Sequence, residues 1–551
     1  MTSPRARWSW NIGTQHQWLA VAIGCLLVYA QVLGCGWLDC DDDIHVTTNP
    51  GLHPVTLRSI ASFWTQPYEG LYIPLSYMLY AGEMLVSRVL SSADPPPAWL
   101  FHGTSVLLHV VCVLLVGRIL TQRVAAGWPA LAGMLVFALH PLQVESVAWI
   151  SEQRGLLATA LSLGSLCVAG RPPRAETPRE RTARTVIALL LFVLAILAKP
   201  SATVVPLMLA ILDGAGSWRA TVAALGRLWS WLLVAGAIAF VTKLQQPSEW
   251  SWEGADVRLM FRPLVAADAI GFYLEKFLVP LGLCLDYGRI PGVVLANAWL
   301  CGRAVLVLVV IAIVCVMPHL RPARIPLGLS IAAFLPVLGL VPFTFQAFST
   351  VADRYAYLPM IGPAVAVAMV MQWALSHDRK AVCGIIAAWL LALTGLTLNQ
   401  LPVWHDRAAL FTQTVRVNPR SAFGHLGLAS ALIAEERLQE AAESLRSAVA
   451  ANPAYAKARY ELASTLHKLG ERAEAEEHYR GTIRLRPRWS YAHNDLGILL
   501  AEQGRLDEAI LHFREAVALR PDLPAQRNNL ERAESIQKQG ATSDAQPPSP
   551  Q

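Results

Sequence analysis

Charge is scarce in this chain: Asp, Glu, Lys and Arg make up 15% of its 551 residues, whereas 54% are hydrophobic, with mean hydropathy +0.41. That scarcity excludes an ordinary soluble protein and assigns most of the chain to a bilayer. The nine cysteines (Cys25, Cys35, Cys40, Cys112, Cys167, Cys284, Cys301, Cys315 and Cys383) contain no CxxC and no Cys/His ligand spacing, so no metal or dithiol motif is written in them. They read as small core residues, with Cys35 and Cys40 a weak candidate pair. The first apolar run, Gln17 to Leu33, follows Arg5 and Arg7 and lacks a small-residue cleavage signature. It reads as a retained helix with a cytoplasmic amino terminus. The net charge of +6 is modest, and its arginines fall in short loops between apolar runs, which suits membrane orientation and excludes a nucleic-acid partner.

The long apolar runs stop near Leu401, where Ala, Glu, Arg and Leu take over. Beyond that point Asn418-Pro419, Asn452-Pro453, Arg486-Pro487 and Arg520-Pro521 recur every 34 residues, as do Gly470 with Gly504 and Ala441 with Ala475 and Ala509. This is the tetratricopeptide period, and it predicts three helix pairs between Ser421 and Asp522. The expected architecture is all-α. A polytopic membrane domain spans 1–403, a tetratricopeptide α-solenoid spans 404–535, and a Pro, Ser and Gln-rich disordered tail spans 536–551.

A crossing needs about 20 apolar residues, and about eleven helices satisfy the alternation of basic and non-basic loops. Arg118 with Arg123, the run Arg171 to Arg184, Arg219 with Arg227, Arg321 with Arg324 and Arg379-Lys380 mark the cytoplasmic side. The segments Val55 to Trp64, Tyr72 to Val89 and Leu264 to Val279 break the alternation if they cross, and are read as helices at the outer surface. The unusual polar residues then gather on that outer side. Three aspartates, Asp41, Asp42 and Asp43, follow the first apolar run; an aspartate costs roughly 3 kcal/mol at the centre of a membrane helix, so they lie in water or a polar cavity. His53, Arg58, His140, Glu145, Glu152, Arg154, Lys199, Asp353 and Arg354 join them. Lys199 ends an apolar run before Pro200, and Asp353-Arg354-Tyr355 precedes another.

Several stretches, taken in order, resemble the transmembrane and tetratricopeptide-repeat O-mannosyltransferases and their bacterial relatives. They are Asp39-Cys40-Asp41-Asp42, Ile73-Pro74-Leu75, the run Ala138 to Trp149, Leu197-Ala198-Lys199-Pro200 and Ala352 to Pro359. The resemblance implies a C-type glycosyltransferase membrane domain that moves a sugar, mannose in the family, from a polyprenyl-phosphate donor to a hydroxyl of a protein or other acceptor. Its acidic pair maps onto Asp41 and Asp42. Two positions depart from it: Gly155 stands where the family usually has an aspartate, and Tyr72-Ile73 replaces the residues that precede its Pro-Leu.

Such a transfer needs a base, cations for the departing phosphate and a water-poor groove. Asp41 is the expected base and Asp42 its orienting partner; Arg354, Arg154 and Lys199 are expected to hold the donor phosphate, with His140, Glu145 and Asp353 in support. A divalent metal on the aspartates is compatible with them, but no pattern demands one. The repeats would recruit a protein or peptide acceptor or partner. A catalytically impaired membrane scaffold is the alternative, with Gly155 in its favour, and a transporter ranks below it. The compartment implied is a bacterial plasma membrane with periplasmic repeats, or an endoplasmic-reticulum membrane with lumenal repeats. A glycosylation or protease-protection reporter fused to the carboxy terminus is expected to be read on the non-cytoplasmic side; a cytoplasmic readout would separate the repeats from the polar cluster.

Overall fold

The computed structural model describes residues 12–38, 40–170, 176–245 and 257–544. Asp39, the loop arginines within 171–175 and the extreme carboxy-terminal tail lie outside the described residues. Among those described there is no β-sheet, only an isolated bridge between Tyr68 and Leu71. The fold is all-α. It divides into two compact units, Met1–Leu410 and Phe411–Gln551.

In the first unit seven of the described helices are long and apolar enough to cross a membrane, from His16–Gly34 through Ala98–Arg123 to Lys380–Trp404. Two bent pairs, Trp128–Leu139 with Pro141–Ala148 (51°) and Trp218–Arg227 with Trp229–Val241 (74°), raise the number to as many as nine. The expected number was about eleven. The difference comes from apolar runs such as Pro200–Gly214, which proline and polar residues break into helices too short to cross alone. The three segments expected at the surface form helices at Leu57–Thr65, Pro74–Leu90 and Arg262–Leu278.

Local signals explain the helix that leads to Lys199. Pro178 occupies its first turn and Thr177 and Glu180 form a reciprocal capping box at its start. At the other end Pro200 cannot continue the ladder, so the helix stops at Ala198 and Lys199 turns out as its C-cap. The Ala198 carbonyl accepts a hydrogen bond from Ser76 Oγ at 2.9 Å. That contact ties the end of this helix to Pro74–Leu90. Beneath the first loop, Val46, Leu52, Phe63, Ile73, Tyr77, Tyr80 and Phe101 form a buried cluster, with Phe63 stacked on Tyr77 at 5.1 Å. Cys35 and Cys40 are both free thiols.

The second unit stacks helix pairs Ala422–Ala434 with Leu438–Ala451, Ala456–Leu469 with Arg472–Leu485, and Ser490–Glu502 with Leu506–Leu519. Small residues make the close approach possible: Ala429, Ala441, Ala463, Ala475 and Ala509 are fully buried. The final helix, Pro524–Asp544, continues past residue 536, where a disordered tail was expected, because Glu531, Ala533, Glu534, Gln537 and Lys538 are good helix formers.

The first helix of each pair ends in a left-handed residue. Gly470 (φ +82°) and Gly504 (φ +77°) fill that position in the second and third pairs, but Glu436 (φ +61°) fills it in the first. A residue with a Cβ pays roughly 1–2 kcal/mol there, partly offset by the extra chain entropy that glycine loses on folding. Glu436→Gly is therefore expected to stabilise the repeats by about 0.5–1 kcal/mol, read as a higher midpoint for loss of helical ellipticity.

Candidate functional site

Asp41 and Asp42 have different environments although they are neighbours. Asp42 is fully buried: its Oδ1 accepts from Ser151 N (2.9 Å) and Ser151 Oγ (2.6 Å), and its Oδ2 from Leu38 N (3.3 Å). Burial raises its pKa to about 6 against the opposing pull of those hydrogen bonds. The folded state therefore holds this proton more tightly than the unfolded chain does, and the stability it contributes is lost as pH rises from about 4 to about 6. Asp42 thus clamps the first loop to the segment around Ser151. Trp149 Nε1 adds a second clamp by donating to the Cys40 carbonyl at 2.8 Å.

Asp41 is the member of the pair that faces out, with its side chain 45% exposed. Its backbone is left-handed (φ +67°), a conformation that aspartate tolerates at some cost. Its Oδ2 lies 3.4 Å from Arg154 Nη2. Arg154 Nε in turn lies 3.6 Å from Glu152 Oε1, and the other Glu152 oxygen accepts from Lys199 Nζ at 2.7 Å. One chain of contacts therefore runs Asp41, Arg154, Glu152, Lys199. Glu152 is buried; burial pushes its pKa up, but Lys199, Arg154 and Arg354 together hold it below the usual value. Burial lowers the Lys199 pKa, and Glu152 opposes that shift.

Arg354 is held from both sides. Its Nη1 donates to Glu145 Oε1 at 2.6 Å, and its guanidinium lies over the rings of Phe345 (4.2 Å), Tyr355 (4.9 Å) and Trp149 (5.1 Å). Lys199 and Arg354 line one cavity of about 50 Å³, together with Glu152, Gly155, Ser146 and Tyr355. Gly155 matters to that cavity: a Cβ there would come within 2.6 Å of Glu152 Oε2 and 3.3 Å of Lys199 Nζ. Glycine at this position leaves the Glu152 and Lys199 side chains room to meet.

Of the three cations expected around a phosphate, Lys199 and Arg354 line the cavity, while Arg154 stands between Asp41 and Glu152. Glu145 serves Arg354. The other two expected supports point elsewhere. His140 Nδ1 accepts from Leu142 N, so Nε2 carries the proton and donates to the Phe277 carbonyl at 3.2 Å. Both ring nitrogens are thus engaged in holding backbone at a helix break. Asp353 accepts from Tyr287 Oη at 2.7 Å, and burial, with Glu145 nearby, raises its pKa well above the carboxylate range. Among the described residues no three His, Cys, Asp or Glu side chains are grouped to hold a metal ion. Sequence reasoning placed Glu152 in the polar gathering but gave it no role, and did not place Ser151, Trp149 or Tyr355 in the site. No spacing rule shows that Trp149 would lie under Arg354, 205 positions away in sequence.

The tetratricopeptide-repeat family matches residues 405–456 and 460–524. The curated Protein O-mannosyl-transferase Tmtc2 of Drosophila melanogaster is 29% identical over 140 residues, 24% of this chain and 14% of that protein. The chain therefore spans only about a seventh of that relative's length. Among solved structures, MamA matches at 28% identity and a TM-score of 0.20, covering 24% of this chain and 77% of that one. The first tetratricopeptide domain of Spaghetti (RPAP3) bound to the HSP90 peptide SRMEEVD matches at 18% identity and a TM-score of 0.21, covering 21% and 93%. A bacterial plasma membrane draws no support from the insect relative.

The two aspartates are expected to separate under mutation. Asp42→Ala leaves three buried donors without an acceptor and should cost about 3 kcal/mol, whereas Asp41→Asn should change stability by less than about 1 kcal/mol. Thermal unfolding of the two purified variants in one detergent distinguishes these outcomes.

Proposed function

We propose, for a chain that fits the transmembrane and tetratricopeptide-repeat O-mannosyltransferase-like family, that it is a membrane glycosyltransferase acting from a polyprenyl-phosphate sugar on a hydroxyl of a protein or other acceptor. The observation that carries the reading is the split within the acidic pair: Asp42 is used up in hydrogen bonds, while Asp41 is half exposed and linked through Arg154 and Glu152 to Lys199, which lines a cavity together with Arg354.

In this reading Asp41 takes the proton of the acceptor hydroxyl as its oxygen bonds to the anomeric carbon. The bond from that carbon to the phosphate oxygen breaks, its electron pair leaves on the polyprenyl phosphate, and the configuration inverts. Lys199 and Arg354 balance the charge that grows on the phosphate, in a place where water is scarce and electrostatic interactions are correspondingly strong. The glutamates that neutralise these cations also keep them oriented. The repeats supply a surface for the acceptor or a partner and raise its local concentration. The reaction side is the non-cytoplasmic one, lumenal in an endoplasmic-reticulum membrane.

The matched repeats also support a second reading, a membrane-anchored scaffold that captures partners without transferring sugar. Purified protein incubated with a panel of polyprenyl-phosphate sugars and acceptor peptides decides between them. Transfer by wild type is expected to fall at least about a hundredfold in Asp41→Asn. Undiminished transfer in that variant removes Asp41 as the base, and partner capture without transfer across the panel selects the scaffold.

A further inference from the structure

Ser146 stands out among the residues that line the cavity. It is 1% exposed, it lines the cavity that Lys199 and Arg354 also line, and its Oγ has no hydrogen-bond partner. A hydroxyl buried without a partner costs about 1–3 kcal/mol, and such orphans are rare in native structures. Its neighbours show the contrast. Ser151, Ser162 and Ser165 are equally buried, and each Oγ donates to a carbonyl or carboxylate: to Asp42 at 2.6 Å, to Ala158 O at 2.7 Å and to Ala188 O at 2.7 Å. Ser146 belongs to the short helix Val144–Ala148, where a carbonyl one turn back is the usual outlet for a serine hydroxyl, yet it makes no such bond.

Ser146, Lys199 and Arg354 bring polar groups to the lining of the cavity. A water needs roughly 10–15 Å³ of such space, so about 50 Å³ accommodates a group of a few oxygen-sized atoms rather than a single water. Two cations, a free hydroxyl and the absent Cβ of Gly155 make a receptacle for a compact, multiply charged oxyanion. A phosphate group is of that size. The neighbouring carboxylate of Glu152 already has Lys199 as its partner, and Glu145 has Arg354, so an arriving oxyanion meets cations that are held in place rather than mobile.

We propose that Ser146 Oγ donates a hydrogen bond to the phosphate group of the ligand held by Lys199 and Arg354, as a binding residue of this site. The assignment rests on the donor-phosphate reading given above and adds to it an uncharged donor whose hydroxyl has no partner within the protein. Ser146 gives direction where the cations give charge: a hydroxyl fixes the rotation of the tetrahedral group, and with it the line along which the ester bond points. A lipid-linked phosphate and inorganic phosphate share this chemistry.

The test is equilibrium binding of a short-chain polyprenyl phosphate, of inorganic phosphate and of the matching polyprenyl alcohol to the full-length protein in detergent. Wild type, Ser146→Ala, Ser146→Cys and Lys199→Ala are compared, and the unfolding midpoint of each is measured without ligand. Ser146→Ala is expected to bind the polyprenyl phosphate about tenfold more weakly, the size of one hydrogen bond to a charged group, and to bind the alcohol as wild type does. Its midpoint without ligand should not fall, because removing an unpaired hydroxyl breaks nothing. Ser146→Cys, a poorer donor of similar shape, should stay as weak as Ser146→Ala. Inorganic phosphate that reproduces the same loss assigns the contact to the phosphate group alone; a loss confined to the lipid-linked form assigns it to the anchored headgroup, and either supports the hydrogen bond. Equal affinity of Ser146→Ala and wild type, with binding lost in Lys199→Ala, overturns the role of Ser146 and leaves the site reading intact. Unaltered binding in Lys199→Ala, or no phosphate-dependent binding by wild type, overturns both. A lowered midpoint with unchanged phosphate affinity marks Ser146 as a packing residue and likewise overturns the proposal.

Discussion

A single buried carboxylate organises the polar centre of this protein. Glu152, 2% exposed, receives Lys199 at 2.7 Å and Arg154 at 3.6 Å, and through Arg154 it reaches Asp41. Removing either sign of charge from such a place leaves the other without compensation, which costs several kcal/mol. The chain therefore has to bring the first loop, the segment after Trp149 and the end of the helix Pro178–Ala198 to one point. The hydrogen bonds from Ser151 to Asp42, from Trp149 to the Cys40 carbonyl and from Ser76 to the Ala198 carbonyl are the fastenings that hold these three segments there. Each joins a helix end or loop rather than a helix middle, which is where backbone groups lack partners of their own.

The same constraint explains how neighbours diverge in role. Asp41 and Asp42 are identical side chains one residue apart, but the left-handed backbone at Asp41 turns one toward solvent and the other inward. Arg154 and Arg354 diverge likewise: the first bridges two carboxylates, and the second is sandwiched among aromatic rings with one glutamate. Glycine at 155 completes the arrangement. It leaves the space through which Glu152 and Lys199 meet, so the acidic partner of Lys199 comes from position 152.

Much of the architecture was legible along the chain. The 34-residue period reported the helix pairs because every unit must bury the same small residues against its neighbour, as Ala441, Ala475 and Ala509 do. Pro200 announced the break at which Lys199 leaves the helix. The number of crossings was less legible, because a broken apolar run and an unbroken one have the same composition; the 51° bend at His140 is a matter of geometry. His140 itself was drawn into the candidate site by its neighbours in sequence, whereas both its nitrogens are spent on backbone.

Composition and periodicity by themselves determined that the chain is all-α, that its first part is rich in apolar helices and that its second is a repeat array, because each of these properties is local and recurs every few residues. Only the tertiary structure decided which charges meet. Glu145 and Arg354 are 209 positions apart, Asp41 and Arg154 113 apart, and Lys199 and Glu152 47 apart. Such pairings depend on where helices end and how they cross, and the cost of burying an uncompensated charge selects among them only once the chain has folded.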